Sequence, residues 1–307
     1  MRAAALIALL SGLAACQDPL TPQSHVDKLR VLAMRAEPPE LVLRQDAGLP
    51  ATTFQALAVN PSGDLPSTAF ALCTLQNGGT PSATLDCPGA AGIDLPDAGP
   101  NAARLDFNNP AIQALALQLS QQDGGLADAG GLQAQLAQGI PLLIGFTASA
   151  PPGGYPDGGP PGFDGGPQQL RGFTTIKLRT ASDQPVNRNP QIIGLQSKAD
   201  GGVAIDLPDD GGFSIHAGQE VQLTPVPAAD AKEQTPNGPE TLGYTFFSTG
   251  GALSSLRTTD TTATGEPVDT FTNWSAPPQP GPVQFWVIIR DGRGGTGWLT
   301  RTVQVVP

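Results

Sequence analysis

Short apolar runs recur from Lys28 onward, separated by clusters of Gly, Pro and Asp. That is the pattern of strands joined by turns in a β-sandwich or barrel. It is clearest in the C-terminal half, where residues 191–196, 220–225, 242–248, 269–273, 282–290 and 298–306 are predicted strands. The last alternates with a period of two. Leu299, Val303 and Val305 share one face, and Thr300, Thr302 and Gln304 share the other. The run from Val283 to Ile289 is more continuously apolar, as a central strand should be. Asp291, Gly292, Gly294 and Gly295 supply the positive φ angles that a tight hairpin between these two strands needs.

The N-terminal half has the same texture with insertions. Residues 29–36, 53–60, 69–75, 141–148 and 173–180 are predicted strands. Residues 111–122 carry Ile112, Leu115, Leu117 and Leu119 at near-helical spacing, so a short helix is expected, interrupted at Asp123-Gly124-Gly125. Residues 151–169 hold six prolines and seven glycines. Such a segment buries too little apolar surface to offset its ordering entropy, and a mobile loop is expected. The boundary between two units, 28–183 and 186–307, is expected within residues 181–189.

Three segments occur in order in the second unit: Tyr244-Thr-Phe-Phe-Ser-Thr-Gly-Gly251, Thr272-Asn-Trp-Ser-Ala-Pro277 and Phe285-Trp-Val-Ile-Ile-Arg-Asp-Gly-Arg-Gly-Gly295. Together they resemble the Ig-like and PKD-like domains of bacterial surface proteins. In those domains an aromatic strand leads to a Gly-Gly turn, a Trp-x-x-Pro strand follows, and a hairpin closes the sheet. The resemblance covers roughly residues 186–307. In the first unit Ala69–Cys73 would match the aromatic strand, but no Trp-x-x-Pro segment follows. The expected fold is therefore all-β: two tandem Ig-like β-sandwiches, the first divergent, with a short helical insertion and low-complexity loops. A fold does not by itself assign a task.

The first residues change the picture. Arg2 precedes an apolar run from Ala3 to Leu13, and Leu13-Ala14-Ala15-Cys16 follows. Charge, a short apolar stretch and small residues form a secretory signal. The run is too short to cross a bilayer, which takes roughly 20 residues. The tetrad resembles the lipobox of bacterial lipoproteins. That resemblance implies cleavage after residue 15, a diacylglycerol thioether on Cys16 and acylation of the new amine. More than one acyl chain is what makes such an anchor stable. Gln17, where Asp often marks inner-membrane retention, resembles the outer-membrane class. Residues 16–27 then read as a lipidated tether. An ordinary cleaved signal with a stray cysteine is the alternative.

Charge narrows the partners. The formal net charge is −11, and −12 once Arg2 is removed with the signal. Nucleic acid and anionic lipid surfaces both call for a basic patch, so an acidic exported chain is a poor candidate for either. With Cys16 assigned to lipid, Cys73 and Cys87 remain. An oxidising compartment favours their pairing, and Gly78, Gly79 and Pro81 let the intervening loop turn back. Two thiols without nearby histidine do not complete a tetrahedral metal site.

No constellation for catalysis is present. The histidines are His25, in the tether, and His216, near a strand edge, and no Gly-x-Ser-x-Gly elbow occurs. Asp209 and Asp210 are adjacent carboxylates among glycines, where neither position nor pKa is easily tuned for glycoside hydrolysis. Asp-Gly-Gly begins at Asp123, Asp157, Asp164, Asp200 and Asp210, and Asp-Ala-Gly at Asp46, Asp97 and Asp128. These copies are irregularly spaced and match no EF-hand or nonapeptide repeat, so turns are expected, with calcium left open. Trp298, which begins a strand, and Tyr155 and Phe163 in the Gly/Pro segment are the candidate ligand-facing aromatics. The expectation is a non-catalytic outer-membrane lipoprotein needing no cofactor. Its partners would be the membrane, through lipid on Cys16, and an envelope protein or glycan, with no nucleic acid. A carbohydrate-binding accessory protein is the alternative, and a hydrolase with its site in the N-terminal insertions is the third reading.

Overall fold

A computed structural model describes residues 22–44, 48–61, 65–73, 92–110, 112–114, 129–150, 168–181, 185–209, 211–236, 238–262 and 264–307. The signal, Cys16, Cys87, Tyr155, Phe163 and four of the five Asp-Gly-Gly aspartates lie outside the described residues.

The first sandwich is built from β1 (Arg30–Glu37), β2 (Glu40–Leu43), β3 (Ala51–Val59), β4 (Ser67–Cys73), β5 (Ile93–Asp94), β6 (Asp97–Gly99), β7 (Ala102–Asp106), α1 (Ala129–Gln138), β8 (Ile140–Ala150) and β9 (Gln168–Thr180). One sheet runs β1-β3-β7-β6 and the other β2-β9-β8-β4-β5. Leu41, Phe54, Phe70, Leu105, Ile112, Ile144 and Ile176 fill the space between them. β3 shows the physics plainly, because Thr52, Phe54 and Ala56 point inward at period two. β1 breaks that period. A register shift between Val31 and Ala33 changes the parity, so Val31, Met34 and Ala36 face the core while Leu32 and Ala33 face the other way.

Helical structure is only partly where the sequence placed it. Ile112 is buried in the core, and its N–H and that of Gln113 donate to Asn109 O. The rest of the predicted helix, from Leu115, lies outside the described residues. α1 was not expected, because Gly130 and Gly131 disfavour helix. It ends at Gly139, whose φ of 91° lets its N–H donate back to Gln135 O (2.9 Å) and Leu136 O (3.3 Å).

The second sandwich comprises β10 (Ile192–Ala199), β11 (Ile205–Asp206), β12 (Ser214–His216), β13 (Glu220–Pro227), β14 (Gln234–Thr235), β15 (Gly238–Pro239), β16 (Gly243–Ser248), β17 (Ala252–Leu253), β18 (Arg257–Thr259), β19 (Thr272–Ser275), β20 (Gly281–Arg290) and β21 (Thr296–Val306). Its sheets run β11-β10-β13-β19-β17 and β12-β21-β20-β16-β18, and β14 pairs with β15. The core centres on Trp274, which is fully buried and meets Phe285 edge-on at 4.8 Å and 82°. The indole N–H donates to Gly250 O at 3.0 Å. A Cβ on Gly251, whose φ is 78°, would strike that same indole nitrogen. The Gly-Gly turn and the tryptophan strand are therefore one packing unit. The fold is all-β: two tandem Ig-like sandwiches with a short helix inserted in the first. Among the described residues no helix is long and apolar enough to cross a membrane.

Candidate functional site

The most heavily built region outside the two cores is the seam between them. A half-exposed antiparallel sheet usually turns polar side chains outward. β20 does not. Val283, Phe285, Val287 and Ile289 enter its own core, while Trp286 and Ile288 on the opposite face pack against Val26, Leu32, Ala33 and Val59. Phe247 of β16, Trp298 of β21 and Leu57 of β3 border this cluster. The parity change in β1 is what turns Leu32 and Ala33 toward it.

The entering chain adds to the seam. Ser248 N donates to Ser24 O at 2.9 Å, and Val26 N donates to Ser248 O at 2.8 Å. Val26 is 1% exposed. Ser24 to Val26, read from the sequence as part of the tether, are thus docked on the second sandwich before the chain enters the first.

The other end of the seam is ionic. Glu40 of β2 is gripped by Arg179 of β9, Nη2 to Oε1 at 2.8 Å and Nε to Oε2 at 2.9 Å. The Asn187 N–H donates to Glu40 Oε1 at 2.6 Å. Burial pushes the Glu40 carboxyl up, but these hydrogen bonds and the charges of Arg179 and Arg293 outweigh it and hold its pKa below the usual value. Arg293, in the β20–β21 hairpin, pairs with Glu240 Oε1 (3.0 Å) and Glu233 Oε2 (3.3 Å), and lies 3.9 Å from Glu40 Oε1. Burial and the nearby charge of Asp291 raise the Glu240 pKa. Arg188 Nε reaches Glu233 Oε1 at 2.7 Å.

The linker is stitched between these groups. Asn189 Nδ2 donates to Ala36 O and to Glu37 Oε2, both at 2.7 Å, while its Oδ1 accepts from Thr296 N at 2.8 Å. One side chain therefore joins β1 to β21. A Cβ on Gly297 would collide with Pro190 O, and one on Gly295 with Asp291 Oδ2. These two glycines serve close approach of backbones, whereas Gly292 and Gly294 supply positive φ (76° and 113°) in the turn itself.

The residues singled out from the sequence disperse across this frame. Trp298 is half-buried at the seam, with the Arg35 guanidinium 4.7 Å over its ring, so one face of the expected ligand platform is already occupied. Cys73 closes β4 and is buried, and Cys87 lies outside the described residues. His216 is exposed on edge strand β12, with Nδ1 2.7 Å from Pro307 O. Asp209 pairs with Arg301 at 2.6 Å. Asp200 opens a turn in which Gly201 has a φ of 65°. Among the described residues no group of three metal-capable side chains is assembled. The sequence reading missed Glu40, Arg179, Asn189 and Arg293. The available signal was the placement of Glu40 between two prolines and three apolar residues, an expensive position for an unpaired charge.

Two paired sheets in each half and a covered seam define the class: a two-sandwich, all-β protein with its modules docked. No protein-family profile matches the chain, and no curated protein matches its sequence. Among solved structures it is similar to the D0-D1 domain of intimin, at 12% identity over 90% of this chain and 99% of that one, with a TM-score of 0.18. It is similar to the Yersinia pseudotuberculosis adhesin InvE at 10% identity, over 90% of this chain and 58% of that one, with a TM-score of 0.22. Domains 4 and 5 of the S-layer protein SbsC match at 10% identity, over 90% and 99%, with a TM-score of 0.19. Superpositions this loose carry no argument, so the fold assignment rests on the sheets themselves.

Proposed function

We propose that the chain is a non-catalytic envelope lipoprotein, anchored in the outer membrane through lipid on Cys16, that serves as a surface spacer, adhesion or protein-binding module. The observation that supports this most is the seam. Apolar packing, the Arg290–Leu32 hydrogen bond and a stitched linker hold two sandwiches together, which suits a part that carries surface away from a membrane at fixed geometry. The charged groups at the junction are engaged with one another: Arg179 with Glu40, and Arg293 with Glu233 and Glu240. General acid–base chemistry would need such groups presented to a substrate.

The proposal is tested by membrane fractionation with surface-protease shaving of whole cells. Lipid labelling and membrane association should both be lost in Cys16→Ser; their persistence would remove the base of the proposal. A purified chain should be inert on polysaccharide and peptide substrates, and turnover would favour the hydrolase reading. Glycan binding abolished by Trp298→Ala would favour the carbohydrate reading. We further propose Cys87 as the partner of Cys73, to be read by non-reducing mass mapping.

A further inference from the structure

An opening of about 330 Å³ lies where the two sandwiches meet beside the entering chain. Its apolar lining is Val31, Leu32, Leu170, Phe247 and Leu256, and Arg30 and Arg257 stand among these residues. Leu170 is 37% exposed, so part of this apolar surface faces water. Arg257 makes no ion pair with a carboxylate among the described residues, and neither does Arg290 beside it. Thr245 sits opposite Arg257 in the β16–β18 register, and Arg290 Nη1 reaches Thr245 Oγ1 at 3.4 Å. Arg290 Nη2 reaches Leu32 O at 3.4 Å. Desolvation, then the charge of Arg257, lowers the Arg290 pKa, as expected for a cation without a counter-ion. Arg30 is only partly compensated, by Asp27 at 3.7 Å. In a chain of net charge −11 this cluster of guanidiniums is a local exception.

Position suggests the occupant. Gln23 is also part of the opening, and Pro22, the first described residue, is six residues after Cys16. An extended chain of that length reaches roughly 20 Å. The overall acidity of the chain works against long-range attraction to an anionic surface. Charge acts over only about 8 Å at physiological salt, so a basic site needs to be held close to lipid to meet it. Resting on the lipid anchor at Cys16, we propose that this opening seats the headgroup of an acidic phospholipid of the same membrane. The phosphate lies between Arg257 and Arg290, and the start of the acyl chains lies over Leu170 and Phe247. The module would then be oriented on the membrane as well as tethered to it.

The test uses the full chain carrying Cys16→Ser, so that the headgroup site is read without the anchor. Dihexanoyl phosphatidylglycerol, kept below its micelle concentration, is titrated by calorimetry, alongside dihexanoyl phosphatidylcholine and inorganic phosphate. Saturable binding of the glycerol lipid, at least tenfold tighter than either of the others, is expected. Arg257→Gln, at an exposed position, should weaken it at least fivefold with an unchanged melting temperature, and Arg290→Gln should weaken it similarly. Arg104→Gln, remote in β7, should have no effect. Equal binding of phosphatidylcholine, equal binding of phosphate alone, or full binding by Arg257→Gln would each overturn the proposal. Loss of lipid labelling at Cys16 is measured separately, so failure of the anchor and failure of the headgroup site are distinguishable.

Discussion

The core of the second sandwich and the seam beside it contain similar side chains, yet they differ in how they are specified. In the core, Trp274, Phe285 and the Gly250-Gly251 turn are close in sequence and follow a strand period. In the seam, Asn189 reaches Ala36 from 153 residues away, and Arg290 reaches Leu32 from 258 residues away. Local pattern builds each sandwich, and long-range complementarity joins them. The two regions should therefore respond differently to damage: core variants should destabilise the whole body, and seam variants should uncouple the two sandwiches.

The largest effect is expected in the core. Trp274→Ala removes the fully buried indole and its contact with Phe285, and should cost about 3–5 kcal/mol in denaturant unfolding. Glu40→Leu comes close behind. It leaves Arg179 buried without its carboxylate, a change that costs about 3–5 kcal/mol when one partner of a buried pair is removed. Its signature should be an altered seam, read as increased hydrogen exchange at Asn187 and Asn189, with the core amides of β20 still protected. A Trp274 variant that exposes only the linker would break the distinction. Arg35→Ala is the smallest of the three. Removing the guanidinium from the Trp298 ring should cost about 0.5–1 kcal/mol and shift Trp298 fluorescence.

The ionic end of the seam also predicts opposing pH limbs. The Glu40 pKa is lowered in the fold, so its contribution is fully present above the ordinary glutamate value and is lost as pH falls through the folded value. The Glu240 pKa is raised, so its ionisation costs stability, and that cost is relieved as pH falls through the raised value toward the ordinary one. Melting temperature against pH should show Glu240→Gln removing the gain on mild acidification. Glu40→Gln should flatten the loss below about pH 4.5, near the unperturbed glutamate value. Identical profiles for both variants would contradict the assignment.

What the sequence revealed follows the same division. The β20–β21 hairpin was legible because Val283–Ile289 is apolar and Asp-Gly-Arg-Gly-Gly can turn. The continuous run was read as a central strand, and it is one, but Trp286 and Ile288 are apolar because β1 covers them. β2 was missed because Glu40 sits in a four-residue strand behind two prolines and pairs in parallel with β9, with no local turn to announce it. The parity change in β1 hides its two buried faces from any alternation count. Trp298 read as an exposed platform because nothing near it in sequence reveals Arg35. Asn189 lay inside the expected boundary and gave no sign that it links both sandwiches.

Scanning calorimetry of the parent chain, followed by Trp286→Ala, tests the central claim that the seam makes the two sandwiches one cooperative body. The parent should melt in a single transition whose van't Hoff and calorimetric enthalpies agree, and Trp286→Ala should split it into two. Two separate transitions in the parent, or a single unshifted transition in the variant, would contradict the claim.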